Sequence, residues 1–123
     1  MRKRVLVVED NPINMKLFEV LLADCDVLRA ENGGDGIRLA REHAPDLIIM
    51  DIGLPDLSGL DVTRVLKEDE LTRSIPILVV TAYAVPGDEG RILESGCERF
   101  LPKPLSAVQF QKTIRSFEAA GPE

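Results

Sequence analysis

The sequence has few of the residues from which many metal and redox sites are built. It contains two cysteines and one histidine in 123 residues. Cys25 and Cys97 lack the spacing of metal ligands, so we expect two reduced thiols with a packing role. His43 lies in the polar segment REHAPD, where we expect a solvated side chain. These observations argue against a zinc site, a disulfide and a histidine phosphodonor.

The chain also lacks an excess of positive charge, long apolar runs and linkers. Its 15 basic and 21 acidic residues give a net charge of −6, which argues against nonspecific binding to nucleic acid or anionic lipid. The apolar run that follows MRKR is too short for a signal peptide or membrane span, so we expect a cytoplasmic protein without membrane insertion. With 45% hydrophobic residues, we expect one domain over residues 1–123.

Five short apolar runs alternate with five stretches of helical character. The runs are Val5–Val8, Val27–Ala30, Leu47–Met50, Ile77–Val80 and Phe100–Leu101. Such alternation is typical of βαβ units, which build a parallel sheet covered on both faces. Five units in so short a chain predict a flavodoxin-like doubly wound (βα)5 fold with strand order 2-1-3-4-5.

The first three helices have recognisable start signals. Asn11 before Pro12, then Asn32 and Ser58, are predicted N-caps. The last two helices are predicted over about 87–95 and from residue 106. We expect the apolar stripes of the first and fifth helices to be core faces. They comprise Ile13, Leu17, Val20 and Leu21, and Ala107, Phe110, Ile114 and Phe117.

Polar residues follow four of the five strands at their carboxyl ends. They are Glu9 and Asp10 after strand 1, Asp51 after strand 3, Thr81 after strand 4, where Ala82 follows it, and Lys103 after strand 5. Ligands of this fold bind at that edge of the sheet. Carboxylates there suit Mg²⁺, and a carboxylate beside the metal can form an aspartyl phosphate. A lysine and a hydroxyl would neutralise the phosphoryl oxygens, so Asp51 is the predicted nucleophile.

The segments VLVVEDNPIN, LIIMDIGLPDLSG, ILVVTAYA and FLPKPLS, in this order and spacing, resemble the receiver domain of two-component response regulators. The resemblance covers nearly the whole chain. It implies a signalling domain rather than an enzyme, in which Asp51 takes phosphate from a phosphohistidine on a histidine kinase or phosphotransferase. It also implies Mg²⁺, for which Mn²⁺ could substitute, bound by Glu9, Asp10, Asp51 and the backbone carbonyl of Gly53.

The same resemblance implies how phosphorylation changes the surface. Lys103 would contact the phosphoryl group, Thr81 and the Ala82 amide would close on it, and Phe100 would change rotamer with Thr81. The peptide bond between Lys103 and Pro104 would be cis. The face formed by helix 4, strand 5 and helix 5 would then bind a downstream kinase, another target protein or a second copy of the chain.

Several positions differ from the commoner pattern of the family. Gly53 offers no side chain near the attacking water and Tyr83 is bulky, so we expect slow self-dephosphorylation. Phe100 lacks the hydroxyl of the usual tyrosine, so a switch there must work by packing. Pro102 has no amide donor, which predicts that strand 5 is a sheet edge. Gly90 costs its helix about 1 kcal/mol relative to alanine.

Other functions have weaker support from the residues. A flavodoxin would need a phosphate cradle after strand 1, where Glu9 and Asp10 would repel an anion. A receiver-fold scaffold that takes no phosphate is an alternative, although the complete set of Asp51, Thr81 and Lys103 argues against it. The chain could also be a module cut from a hybrid kinase. Because it begins with Met1 just before strand 1 and ends soon after helix 5, we expect an intact protein without an output domain.

Three further segments, NMKLFEVLL, VTRVLKED and GDEGRILESGCERF, resemble single-domain regulators of cell division within this family. That likeness implies a role in cell-cycle or polarity signalling. Motility control and relay to a phosphotransferase are alternatives that the residues leave open.

Overall fold

The computed structural model describes residues 3–82, 88–103 and 106–119. Strands and helices alternate along the chain. The elements are β1 Arg4–Val8, α1 Pro12–Leu21, β2 Asp26–Ala30, α2 Gly33–His43, β3 Leu47–Asp51, α3 Gly59–Glu68, β4 Ile77–Thr81, α4 Asp88–Glu94, β5 Arg99–Pro102 and α5 Ala107–Ala119. The strands form one parallel sheet of order β2-β1-β3-β4-β5. This order confirms the predicted flavodoxin-like fold.

Two hydrophobic cores lie on opposite faces of the sheet. Leu6 and Val8 of β1 face the core that α2, α3 and α4 cover. Val5 and Val7 of the same strand face the core covered by α1 and α5. All five residues of β3 and of β4 are buried because these central strands are covered on both sides. Strand β5 is an edge strand, as predicted. Pro102, which has no backbone amide donor, therefore does not interrupt the hydrogen bonding between two central strands.

The prediction for the core face of α1 is wrong except at Leu21, which is half-buried against the core of α1 and α5. Ile13, Leu17 and Val20 are 77%, 41% and 64% exposed. The buried side chains of this helix are instead Met15 and Phe18. Helical spacing fits either set, because α1 carries apolar residues on two sides. The set with the aromatic ring packs inward, since a ring removes more apolar area from water.

The prediction for α5 is confirmed except at its first residue. Phe110 is fully buried and its ring centroid lies 5.7 Å from that of Phe18. Ile114 and Phe117 are half-buried and pack on the same core, whereas Ala107 is exposed. The two helices on this face of the sheet are thus joined by an aromatic contact.

Side chains cap the first three helices, as predicted. The Asn11 Oδ1 atom accepts hydrogen bonds from the amides of Ile13 and Asn14 at 2.9 and 3.1 Å. Asn32 and Ser58 cap α2 and α3 in the same manner. These caps fix where each helix starts, immediately beyond the carboxyl edge of the sheet. Within the described residues, no helix has the length and apolar character needed to span a membrane.

Candidate functional site

Three carboxylates meet at the carboxyl edge of the sheet. Strands β1 and β3 are neighbours, and Val8 pairs with Met50, so the next residues, Glu9 and Asp51, lie side by side. Asp10 follows on the loop. One carboxylate oxygen from each of the three lies within 4.8 Å of the other two. The structure thus brings together the three carboxylates predicted from the sequence.

Lys103 reaches this cluster from the edge strand. Its Nζ atom donates hydrogen bonds to Glu9 Oε1 and Asp51 Oδ1, both at 3.1 Å. The backbone amide of Lys103 donates to the Thr81 carbonyl oxygen at 2.7 Å, which fixes the lysine to the end of β4. The lysine therefore spans the edge from β5 to β1.

Burial and the neighbouring charges together shift the pKa values of Glu9 and Lys103. Glu9 is only 1% exposed, and its second oxygen accepts from the amide of Asn11 at 3.2 Å. Burial, and then repulsion from Asp51, raise the pKa of Glu9 despite the nearby ammonium. Burial alone would lower the pKa of Lys103, but Asp51 and Glu9 outweigh it and raise that pKa. Lys103 therefore stays charged. The ionised form of Glu9, by contrast, is disfavoured by its burial and by the nearby charge of Asp51.

The donor set fits a divalent cation. Three ionised carboxylates and one ammonium give the cluster a formal charge of −3 + 1 = −2. Carboxylate oxygens are the hard donors that Mg²⁺ and Mn²⁺ prefer. Asp10 is exposed, so a bound ion would also be open to water and to a phosphate oxygen. The charge and the ligand types both match the predicted magnesium site.

The loop after β3, residues 52–58, contains Gly53, two residues beyond Asp51. The Gly59 amide donates to the Ile52 carbonyl at 2.8 Å, and Gly53 forms an antiparallel bridge with Ser58. A Cβ atom at Gly59 would lie 2.0 Å from the carbonyl oxygen of Asp51, so only glycine fits there. A Cβ at Gly53 would meet nothing within 4 Å. The chain thus turns sharply beneath Asp51 and leaves Gly53 in open space.

The remaining predicted residues lie on β4 and β5. Thr81 is buried at the end of β4, one residue beyond Val80, which pairs with Asp51. Ala82 is exposed just after it. Phe100 is half-buried and packs on the core beside α2, α3 and α4. The predicted shielding by Tyr83 and the predicted cis bond before Pro104 concern positions outside the described residues.

One well-bonded carboxylate near the site was missed by the sequence analysis. Asp56 accepts hydrogen bonds from the amides of Gly33 and Gly34 at 2.7 and 2.9 Å, and from the amide of Leu57 at 2.9 Å. In the sequence it follows a proline in the turn PDLSG, where an acidic residue indicates no more than a turn. Its two glycine partners lie more than 20 residues away, at the start of α2, and no local pattern reveals them.

Comparison with known protein families gives a match over most of the chain. The model of the response regulator receiver domain matches residues 5–115. A polar-differentiation response regulator DivK from Brucella anthropi is 50% identical over 119 residues, which cover 95% of this chain and 97% of that protein. The protein of the same name from Brucella ovis shows the same identity and coverage.

Solved structures give a consistent result. The receiver domain of a sensor histidine kinase from Pseudomonas aeruginosa, with a magnesium ion coordinated in its active-site cleft, is 32% identical with a TM-score of 0.87. That match covers 95% of this chain and 98% of the other. A putative response regulator from Chloroflexus aurantiacus is 25% identical with a TM-score of 0.91, covering 97% and 99% of the two chains.

Proposed function

Because the chain belongs to the response regulator receiver domain family of two-component signalling, we propose that Asp51 is its phosphoacceptor. The observation that carries this proposal is the position of Lys103, whose ammonium bonds to both Glu9 and Asp51 within a cluster of net negative charge. A structural ion pair would need one carboxylate for one lysine. A surplus of carboxylates is what a divalent cation requires, and that cation would in turn offset the charge of a phosphoryl group on Asp51.

In the proposed reaction, an Asp51 carboxylate oxygen attacks the phosphorus of a phosphohistidine. A P–O bond to Asp51 forms as the P–N bond breaks, and the imidazole leaves with the electron pair of that bond. Lys103, already bonded to Asp51 Oδ1, stabilises the negative charge on the phosphoryl oxygens. A bound Mg²⁺ held by Glu9, Asp10, Asp51 and the Gly53 carbonyl would supply the remaining positive charge.

The proposed output is a change in protein binding. The Thr81 hydroxyl and the Ala82 amide bind the new phosphoryl group, and Phe100 repacks in response. This repacking shifts the equilibrium between two conformations of the face formed by α4, β5 and α5. Partner proteins bind these two conformations with different affinity. The partners are a histidine kinase or phosphotransferase and a downstream kinase or other target, and the same face could pair two copies. The names of the DivK relatives support a role in polar differentiation. The proposed role is cytoplasmic and belongs to one receiver domain over residues 1–123, of which the family match covers residues 5–115.

Intact mass after incubation with acetyl phosphate tests the phosphoacceptor. We expect one phosphate adduct on the wild type with Mg²⁺, and none with EDTA or on Asp51→Asn. Asp61→Asn is the matched control, because Asp61 is an exposed carboxylate of α3 whose ion pair in the described part of the chain is a local one with Arg64. A chain that took no phosphate from acetyl phosphate or from phosphohistidine donors would instead be a scaffold of receiver fold.

The lifetime of the adduct tests the expectation of slow self-dephosphorylation. Gly53 has open space beside it, so a polar side chain could be added there without a clash. We expect Gly53→Asn to increase the rate of phosphate loss on the order of tenfold, because the asparagine side chain can orient the attacking water. This increase is smaller than the effects typical of general acid–base catalysis. Gly53→Ala, which adds bulk without polarity, is the control. Loss of phosphate from the wild type within seconds would contradict this expectation.

A further inference from the structure

Asp56 joins two segments that are distant in sequence. One carboxylate oxygen accepts from the amides of Gly33 and Leu57, and the other from the amide of Gly34. Hydrogen bonds from Gly33 and Gly34 hold the pKa of Asp56 below its usual range, so the ionised form makes these bonds. The loop after β3 is therefore fixed to the first turn of α2.

Steric contacts at the same place show how close the two segments are. A Cβ atom at Gly33 would lie 2.8 Å from Val62 Cγ2 and 3.2 Å from both Asp56 Oδ1 and Leu57 Cβ. Val62 is fully buried, so it cannot move aside cheaply. One residue further, a Cβ at Gly34 would make only ordinary contacts at 3.5 Å. The packing at Gly33 is independent evidence that the loop is set against α2.

The two ends of the loop have different supports. At its base, the Gly59 amide bonds to Ile52 and Gly53 bridges to Ser58. These local bonds fix the shape of the turn. Its outer part is fixed to the rest of the protein by Asp56 and its bonds to the start of α2. Gly53 lies in this same loop, three residues before Asp56.

On the proposed function, on which this role of Asp56 rests, the Gly53 carbonyl is a metal ligand. We propose that Asp56 is a positioning residue of the metal site, which sets Mg²⁺ affinity by fixing the loop that carries this carbonyl to the start of α2. Asp56 itself binds no metal. Groups that orient ligands in this way typically change metal affinity by about 10–100-fold when they are lost.

Direct calorimetric titration with MgCl₂ tests this role. In Asp56→Asn an amide nitrogen replaces one acceptor oxygen and faces a backbone N–H group, so the bond is lost while the shape is kept. We expect the Mg²⁺ dissociation constant to rise roughly tenfold. Asp61→Asn removes the same charge from an exposed site and should change it less than about twofold, since exposed charges are strongly screened.

A second pair of variants approaches the same contact from α2. Gly33→Ala inserts a methyl group into the tight packing at Val62 and should weaken Mg²⁺ binding without altering the carboxylate. Gly34→Ala adds the same group where there is room and should leave the dissociation constant unchanged. Thermal unfolding in EDTA shows whether Asp56→Asn is folded. If it is not, the comparison of Gly33→Ala with Gly34→Ala tests the proposal instead.

Phosphorylation separates a positioning role from general damage. If Asp56 positions the loop, the Mg²⁺ concentration for half-maximal labelling rises in parallel with the dissociation constant, and labelling at saturating Mg²⁺ equals that of the wild type. If Asp56→Asn and Gly33→Ala bind Mg²⁺ with the same dissociation constants as their controls, the proposed role of Asp56 is overturned. The proposed function is not affected by that result. A wild type that binds Mg²⁺ but is never phosphorylated would overturn the proposed function, and the binding comparison would still test Asp56.

Discussion

Two lysines lie at opposite edges of the sheet and are almost equally buried, yet their surroundings differ in charge. The side chain of Lys103 at the carboxyl edge is 17% exposed, and that of Lys67 at the amino edge is 14% exposed. Lys103 bonds to two carboxylates, with the third close by. Lys67 bonds to one carboxylate, Glu98, and to two backbone carbonyls.

The amino edge is balanced in charge. The Lys67 ammonium donates to Glu98 Oε2 at 2.7 Å and to the carbonyls of Arg73 and Ile75 at 3.2 and 2.8 Å. The other oxygen of Glu98 accepts from the amide of Ile77 at 2.7 Å. Each bond fixes a strand or helix end, so this network ties α3 to the first residue of β4 and to the segment before β5.

The difference shows that burial of a charge does not by itself indicate function. Both lysines are desolvated to a similar extent, but among their partners in the described part of the chain, only those of Lys103 carry an excess of negative charge and include a buried carboxylate with a raised pKa. Such uncompensated charge lowers stability unless a ligand neutralises it. We therefore expect Mg²⁺ to matter at one edge and not at the other.

The largest effect is expected from Lys103→Met. Removing the ammonium leaves Glu9 and Asp51 facing each other in a buried site, which should cost about 3–5 kcal/mol of unfolding free energy in EDTA. Mg²⁺ should restore part of this loss, because it neutralises the same oxygens. Phosphorylation should fall below detection at any Mg²⁺ concentration. Chemical denaturation with and without Mg²⁺, together with intact mass, measures both effects. An equal loss of stability in both buffers would contradict the role of charge.

Lys67→Met is the matched variant at the amino edge. It removes charged hydrogen bonds to Glu98 and to two carbonyls, which should cost about 2–3 kcal/mol. Glu98 is partly exposed and can turn to water, so the loss should be smaller than at Lys103. Mg²⁺ should not reduce it, and phosphorylation of the folded fraction should stay at the wild-type level. A Mg²⁺-dependent rescue of this variant would remove the distinction between the two edges.

The sequence predicted the carboxyl edge far better than the amino edge, for a physical reason. Parallel strands end at one edge, so residues next to strand ends meet there whatever the details of packing. Glu9, Asp10, Asp51 and Lys103 were located in this way. The ion pair of Lys67 with Glu98 depends on how a helix end meets a loop 31 residues away, which no periodicity encodes.

The error at α1 has a similar origin. Ile13 and Phe18 both lie on apolar stripes of helical spacing, and spacing alone cannot choose between two stripes. The choice depends on the ring of Phe110 on α5, which Phe18 contacts. Asp56 was missed because its partners are backbone amides, which every residue except proline offers. The meeting of strand ends was predictable because a parallel sheet imposes it, whereas contacts that depend on helix packing or on backbone amides were not.

A smaller effect of opposite sign is expected from Glu9→Gln. Because its pKa is raised in the folded chain, the stability that neutral Glu9 contributes is fully present below its ordinary pKa and is lost as pH rises through the raised value. Glutamine loses one of the two acceptor oxygens, but we expect relief of the charge to outweigh that lost hydrogen bond. At neutral pH in EDTA the variant should therefore unfold roughly 3 °C higher than the wild type. Excess Mg²⁺ should reverse the order. Glu98→Gln, at the balanced edge, should instead lower the unfolding temperature in both buffers.

The smallest effect is expected from the titration of Asp56. This carboxylate differs from the charged groups above because its hydrogen-bond partners are neutral backbone amides. Its pKa is lowered, so its contribution to stability is present above its ordinary pKa of about 3.9 and is lost as pH falls through the lower folded value. The difference in unfolding temperature between the wild type and Asp56→Asn should be constant from pH 7 to pH 5 and should shrink at lower pH. Because the group is exposed, the difference should be smaller than that for Glu9→Gln. Circular dichroism in EDTA measures this difference in unfolding temperature without interference from metal. A difference that stayed constant down to pH 3 would show that the ionised carboxylate does not hold the loop against α2.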